Sequence, residues 1–280
     1  MAAGAGLAEF WSMETKEMFA PIQKVADLQE RPRRPRPRHS QARRPQEKEL
    51  SARATKISVI IPAHNEEAYL GRTLAALHKQ KHSAFEIIVV ANGCTDRTAE
   101  TAAGACDQLI VRSQKGLSAA RNAGARKAKG ELLIFLDADT LLEQHALNII
   151  DEQFTRSEAA GTLKGQPDSD RLGYRLIYCL KNFIHCSLLH HGSSGVILCW
   201  KNNFHALGGF DEQLEVRENS DLIKRLKQFG SYQYIGDTAA ITSMRRYEQR
   251  GVWCTAWLWV KLWIESFFTD LRHRQYEIVR

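Results

Sequence analysis

From residue 56 onward, short apolar runs alternate with segments whose apolar residues recur every three or four positions. Residues 57–61 form an apolar run, interrupted only by Ser58 and stopped by Pro62, as expected of a strand buried on both faces. Residues 66–79 then place Leu70, Leu74 and Leu77 at helical spacing. Residues 86–90 are a second buried strand, ended by Asn92-Gly93, and 96–104 read as a short helix capped by Thr95 or Asp96. A third strand at 108–111 precedes an alanine-rich helix at 117–129 that Gly130 closes, and 132–136 is a fourth strand. This βαβαβαβ order predicts an α/β fold, a mostly parallel sheet flanked by helices. In such sheets ligands bind beyond the C-terminal strand ends. After Asp151 the pattern is less regular. It predicts a helix at 171–191, a strand at 194–199, a helix at 219–229 and a tryptophan-rich terminal helix at 251–271, with no internal repeat.

Charge separates the chain into an arm and a body. Residues 1–56 hold 12 Lys/Arg against 7 Asp/Glu, and the rest holds 27 against 25. The net charge of +7 therefore belongs mainly to the arm, and no specific nucleic-acid partner is expected of the body. Residues 31–45 carry seven arginines and four prolines without apolar periodicity, as expected of a linker or of a patch for anionic surfaces. Six cysteines without a Cys-x-x-Cys pair exclude a disulfide scaffold and a zinc ribbon. Residues 1–13 show no secretory pattern. The most apolar stretch, 252–268, is interrupted by Lys261 and Glu265 and falls short of the roughly 20 residues that span a bilayer. A cytoplasmic location is expected.

Polar clusters follow the predicted strands. After the fourth, Asp137-Ala138-Asp139 sets two carboxylates where they can approach one hard cation, or cap a following helix. After the first, Pro62-Ala63-His64-Asn65-Glu66 offers an amide and a carboxylate to a base or ribose, or simply caps the helix. After the second comes Asn92-Gly93-Cys94-Thr95-Asp96. Lys115 and Gly116 precede a helix whose first turns carry Ser118 and Arg121, an arrangement that suits phosphate. Further on, Gly208-Gly209-Phe210-Asp211-Glu212 is followed by Glu218 and Asp221, three residues apart, either of which could serve as a general base or as helix-end charge.

Taken in order, IPAHNEE, VVANGCTDRT, KGLSAARNAGA, LDADT, GGFDE and RENSDL resemble glycosyltransferase family 2 over about residues 56–230. The tail ITSMRRYEQRGVW is similar to that of a bacterial subgroup. The resemblance implies the GT-A fold, a Rossmann-like sheet with a helical C-terminal extension. It implies a nucleoside-diphosphate sugar as donor and a divalent cation, manganese or magnesium. It divides the chain into the arm 1–55, a catalytic domain 56–245 with a nucleotide half 56–140 and an acceptor half 141–245, and a terminal helix 246–280. By position, Pro62, Ala63, Asn65, Glu66, Asn92, Lys115, Gly116, Arg121, Asp137 and Ala138 would line the donor site. Asp139, with Asp137, would hold the metal. The family often has Glu-Asp where this chain has Glu218-Asn219. An amide accepts no proton there, which leaves Glu218 as first choice for the base and Asp221 as second.

The implied reaction is an inverting transfer to a hydroxyl of a glycan or of a lipid-linked acceptor. Arg245 and Arg246, expected in a loop before the last helix, are candidates for the diphosphate or for an anionic acceptor. The tryptophans of 253–263 would pack on the core or lie at a membrane surface, peripherally on its cytoplasmic face. Asn219 also motivates a different class, an inactive sugar-nucleotide-binding or scaffold protein. A nucleotidyltransferase would carry a glycine-rich basic loop after the first strand, where this chain has PAHNEE.

Overall fold

The computed structural model describes residues 57–82, 84–187, 192–193, 195–214, 216–251, 254, 255, 257 and 261. The arm 1–55 and most of the tryptophan-rich terminal segment lie outside the described residues.

The first half follows the predicted alternation. Strand β1 (Ile57–Ala63) leads to helix α1 (Leu70–His78), β2 (Phe85–Asn92), α2 (Thr98–Ala102), β3 (Gln108–Arg112), α3 (Leu117–Lys127) and β4 (Leu132–Leu136). Then come β5 (Thr140–Leu142), α4 (Ala146–Gln153), β6 (Glu158–Pro167), α5 (Leu172–Cys186), β7 (Val196–Trp200), α6 (Lys201–Ala206), α7 (Glu218–Leu226), a 3-10 turn (Lys227–Phe229), β8 (Ser231–Thr242) and α8 (Arg245–Arg250).

The strands form one sheet in the order β3-β2-β1-β4-β7-β6-β8-β5. The first four run parallel, β7 is antiparallel to both β4 and β6, β8 is parallel to β6, and β5 is antiparallel to β8. From β1 the chain winds outward through β2 and β3, then returns to place β4 on the other side of β1. That reversal opens a crevice at the C-terminal ends of β1 and β4, the place where a ligand site is expected. It sets the loop after β1 beside Asp137–Asp139.

Every residue of β1 and of β4 is buried, which explains why they are apolar throughout except for Ser58. Alternate strand residues feed cores on the two faces of the sheet. Val59, Ile61 and Ile134 join Leu70, Leu74 and Leu77 of α1. Ile60, Leu133 and Phe135 join α3, Phe204, Phe210 and Leu222. Helix α3 lies so close to the sheet that a Cβ on Gly124 would sit 2.4 Å from Ile60 Cγ2. A third, smaller cluster of Tyr174, Tyr178, Met244 and Tyr247 joins α5 to α8.

Several boundaries differ from the sequence reading. The helix expected from residue 66 starts at Leu70, because Asn65 adopts a left-handed φ of 54° and residues 66–69 make a turn first. Thr140 enters strand β5 rather than a helix, and α4 begins only at Ala146. Arg245 and Arg246 sit on helix α8 rather than in a loop. Strands β6 and β8 have no counterpart in the sequence reading.

Candidate functional site

The site is built on Arg121. It lies one helical turn into α3 and is 2% exposed. Its Nη1 donates to Glu218 Oε1 and to Asn219 Oδ1, both at 2.9 Å, and its Nη2 donates to Asp137 Oδ1 at 3.0 Å. Its face lies 5.1 Å from the centre of the Phe210 ring. One cation thus joins the end of β4 to the start of α7, residues about 80 positions apart in the chain. The loop that presents α7 is held to the same helix. Asn122 Nδ2 donates to Phe210 O and Glu212 Oε1, Phe210 N–H donates back to Asn122 Oδ1, and Ser118 Oγ donates to Leu214 O. Gly209 has φ 82°, and a Cβ there would meet Asn122 Oδ1 at 2.5 Å, so the close approach requires glycine.

A second arginine serves the other pole. Arg245 on α8 reaches Glu66 Oε1 and lies 3.2 Å from Asp139 Oδ2, with its guanidinium 4.4 Å from the centre of the Tyr69 ring. Its side chain is only 14% exposed. The other oxygen of Glu66, Oε2, is buried and without a hydrogen-bond partner. Backbone contacts fix the acid loop. Asp137 N–H donates to Gly195 O, Thr73 Oγ1 to Ala138 O, and Ser243 N–H to Asp139 O.

Burial pushes the Asp139 carboxyl up to about 6, with Asp137 and Glu66 adding repulsion that Arg245 and Arg246 only partly oppose. Four carboxylates, Glu66, Asp137, Asp139 and Glu218, are in direct ion pairs with only two arginines. The spare negative charge and the hard oxygen donors of Asp137 and Asp139 fit a divalent cation. Among the described residues no three His, Cys, Asp or Glu side chains converge as a ready-made metal site. A cation here would need further oxygens from its ligand, which is how magnesium sites commonly use phosphate.

Asn65 exchanges two hydrogen bonds with Thr95, so its amide clamps the loop after β1 to the loop after β2. Asp96 Oδ1 accepts from the Thr98 backbone and hydroxyl at the start of α2. Pro62, Ala63 and Ala138 are buried, the carbonyls of Ala63 and Ala138 accepting from Cys94 Sγ and Thr73 Oγ1. Asn92 is buried at the end of β2, with its Oδ1 unpartnered, while its carbonyl contacts His64 Nδ1 at 2.8 Å. Lys115 is exposed before α3, packed by its backbone against Gly93, and Gly116 O accepts the first α3 bond from Ala120. Asp221 is turned to Arg225, at 2.7 Å, and Arg225 is itself bonded to the carbonyls of Leu207 and Gly209.

Two site neighbours escaped the sequence reading, both on α5. Lys181 is half-buried with its ammonium 4.6 Å from the Tyr178 ring centre. Burial and the nearby Arg246 push it down to about 8, against the pull of Asp137. Tyr178 is 3% exposed and its hydroxyl is pushed well up by burial, bonding to Thr242 with Asp139 nearby. Their only sequence signal was spacing, since Tyr174, Tyr178, Lys181 and His185 share one helix face.

Residues 58–178 match the family model described as Glycosyl transferase family 2. An uncharacterized glycosyltransferase of Nostoc sp. is 36% identical over 114 residues, covering 39% of this chain and 35% of that protein. A 4,4'-diaponeurosporenoate glycosyltransferase of Staphylococcus haemolyticus is 36% identical over 141 residues, covering 48% of this chain and 35% of that protein. Among solved structures, a mannosyltransferase from Pyrobaculum calidifontis in complex with GDP-Man and Mn2+ superposes with a TM-score of 0.61 at 16% identity. It covers 92% of this chain and 75% of that one. S. aureus TarS 1-349 in complex with UDP-GlcNAc gives 0.54 at 20% identity, over 79% of this chain and 62% of that one. The matches with the first three curated relatives span 35%, 16% and 39% of those proteins' lengths.

Proposed function

Because this chain is a homologue of the family 2 glycosyltransferases with the GT-A architecture, we propose that it moves a sugar from a nucleoside-diphosphate sugar to a hydroxyl acceptor with inversion. The observation that carries the reading is the buried Arg121, which draws Asp137, Glu218 and Asn219 into one constellation at the strand ends. The Mn2+ and sugar nucleotides named with the two solved structures support the same reading of donor and metal.

In this mechanism the donor diphosphate lies over the loop 137–139, with Lys115 at the mouth of α3. A divalent cation held by Asp137 and Asp139 would supply Lewis-acid stabilisation of the leaving diphosphate. Glu218, oriented by Arg121, accepts the proton of the acceptor hydroxyl. That oxygen forms its bond to the anomeric carbon while the bond from that carbon to the phosphate oxygen breaks, and the diphosphate leaves with the electron pair. Arg245 exchanges Asp139 for the diphosphate, with Arg246 and Lys181 adding positive charge nearby. The acceptor is a glycan or lipid-linked hydroxyl. Among the described residues no helix is long and apolar enough to cross a membrane.

Asn219 favours a second reading. Its amide accepts from Arg121 and donates to Ser193 Oγ, and it accepts no proton. A chain in which Glu218 cannot act either would bind a sugar nucleotide without turning it over. The test is a thermal-shift panel of nucleoside diphosphates and their sugar conjugates, with and without manganese, followed by donor hydrolysis with the nucleotide that binds. A manganese-dependent shift with one nucleotide, abolished in Asp139→Ala, together with turnover supports the transferase. A shift without turnover supports the binding protein, and no shift from the folded chain removes both.

A further inference from the structure

The outer face of α5 has no covering element among the described residues. Leu172, Leu176, Leu180 and Phe183 are 71%, 61%, 60% and 65% exposed, and they make up half of the eight large apolar side chains exposed among the described residues. Their spacing of four, four and three residues puts them in one stripe. Cys179 and Cys186, both exposed free thiols, fall on the same face and extend it. The stripe runs the length of a 15-residue helix, about 22 Å at the usual rise. A contiguous apolar strip of this kind on a protein surface marks an interaction site.

The charges beside it select the partner. Residues 171–187 contain no acid, and the exposed Arg171 and Arg175 lie beside Leu172 and Leu176, while Lys181 is on the inner face against Tyr178. Asp170, just before the helix, is the nearest acid in the sequence. An apolar stripe edged with basic residues matches the boundary between acyl chains and anionic headgroups. We propose that the outer face of α5 docks on a lipid bilayer carrying anionic headgroups.

The opposite face of α5 gives the docking a consequence. Tyr174 and Tyr178 pack there against Met244 and Tyr247, and Met244 adjoins the Arg245 that reaches Asp139. Asn182 pins the helix to β6 by two 2.9 Å bonds with Gly165. The helix that meets the lipid is therefore also a wall beside the acid loop, and a lipid-borne acceptor would present its hydroxyl on that side. This last step rests on the transferase reading, whereas the docking itself does not.

The test is co-sedimentation of the full chain with phosphatidylcholine vesicles containing one quarter phosphatidylglycerol, and with phosphatidylcholine alone. Wild type is expected on the anionic vesicles, more weakly at high salt. Leu176→Glu/Phe183→Glu is expected to bind about tenfold more weakly or worse, because the loss of two inserted apolar side chains is of that order. Leu172→Gln/Leu180→Gln should weaken binding in the same direction, and circular dichroism shows that each variant is folded. Arg171→Gln/Arg175→Gln should remove the preference for anionic vesicles. Wild type that ignores the vesicles overturns the proposal, as does vesicle binding unchanged in both apolar variants. Light scattering that shows a wild-type dimer, made monomeric by Leu176→Glu/Phe183→Glu, assigns the face to a second copy and also overturns it. No sugar donor enters the assay, so a failed transferase reading cannot produce these outcomes.

Discussion

Replacing Arg121 by methionine tests the centre of the site. Methionine keeps an apolar stem of comparable length against Phe210 and removes the charge. Glu218, with a side chain 10% exposed, then loses its cation inside the protein. Removing one partner of a buried pair costs about 3–5 kcal/mol, because the other charge remains. Asp137 is 39% exposed at its side chain, so water replaces most of what Arg121 gives it, and its share is small. The lost contact with Phe210 adds about 0.5–1 kcal/mol. A total of about 3.5–6 kcal/mol lowers Tm by about 7–24 °C in a domain of this size. Thermal melts followed by circular dichroism read this directly. The second variant, Arg121→Met/Glu218→Gln, replaces the stranded carboxylate by an amide and should recover half or more of the loss. Arg121→Met/Asp137→Asn should recover less. A single variant that melts within about 2 °C of wild type, or a pair with Glu218→Gln that recovers nothing, refutes the view that Arg121 balances Glu218.

Other consequences are equally open to measurement. Asp139, pushed up to about 6 from 3.8, gives stability that is complete below about pH 4 and is lost as pH rises through 6. In EDTA, the stability of wild type relative to Asp139→Asn should therefore fall by up to about 3 kcal/mol between pH 4 and pH 7 in urea titrations, and a flat difference contradicts the burial argument. Glu218→Gln should cut transfer by about 100-fold or more. Asp221→Ala should leave turnover near wild type and cost under about 1 kcal/mol, since its pair with Arg225 is half-exposed, and the reverse pattern moves the base to Asp221. Gly124→Val should lower stability by about 1–3 kcal/mol in thermal melts, because its Cβ would overlap Ile60, and an unchanged Tm would mean that α3 can lift off the sheet.

The half of the fold up to β4 was legible because β1, β4 and most of β2 are buried on both faces and its strands are spelled by β-branched and leucine residues. The second half was not, for reasons visible in its strands. β6 reads EAAGTLKGQP, and its Gly161 is required by contact, since a Cβ would meet the Phe154 ring at 2.9 Å and Gln233 O at 3.0 Å. The same glycine erases the local strand signal. β8 carries Gly236 and Asp237 mid-strand, and its register with β6 jumps between Leu163 and Lys164. A break of that kind belongs to the pairing and leaves no mark in either segment alone. In the site, the acids and Arg121 were found from their positions after strands. The choice of partners was not, because the Arg121 contacts with Glu218 and Asn219 and the Arg245 contact with Glu66 join residues 97 to 179 positions apart. Helix spacing puts Tyr174, Tyr178 and Lys181 on one face of α5, but nothing local marked that face as the inner one or indicated that Lys181 would lie near Asp137 and Arg246.

The two arginines explain why the site lies at the junction of two halves of the sheet. β1 and β4 bring Glu66, Asp137 and Asp139 together at the reversal of strand order, and that concentration of negative charge is unfavourable in a buried crevice. Neither cation comes from the strands that create the problem. Arg121 arrives from α3, packed on the β1–β2 side, and it also holds α7. Arg245 arrives from α8, after the last strand, and its helix is packed on α5. Each arginine therefore couples the acid loop to a distant element, one carrying Glu218 and the other backing the apolar face of α5. A ligand that supplied its own charge at Asp137 and Asp139 would compete with both contacts at once. Occupation of the crevice would then be felt at α7 and α8.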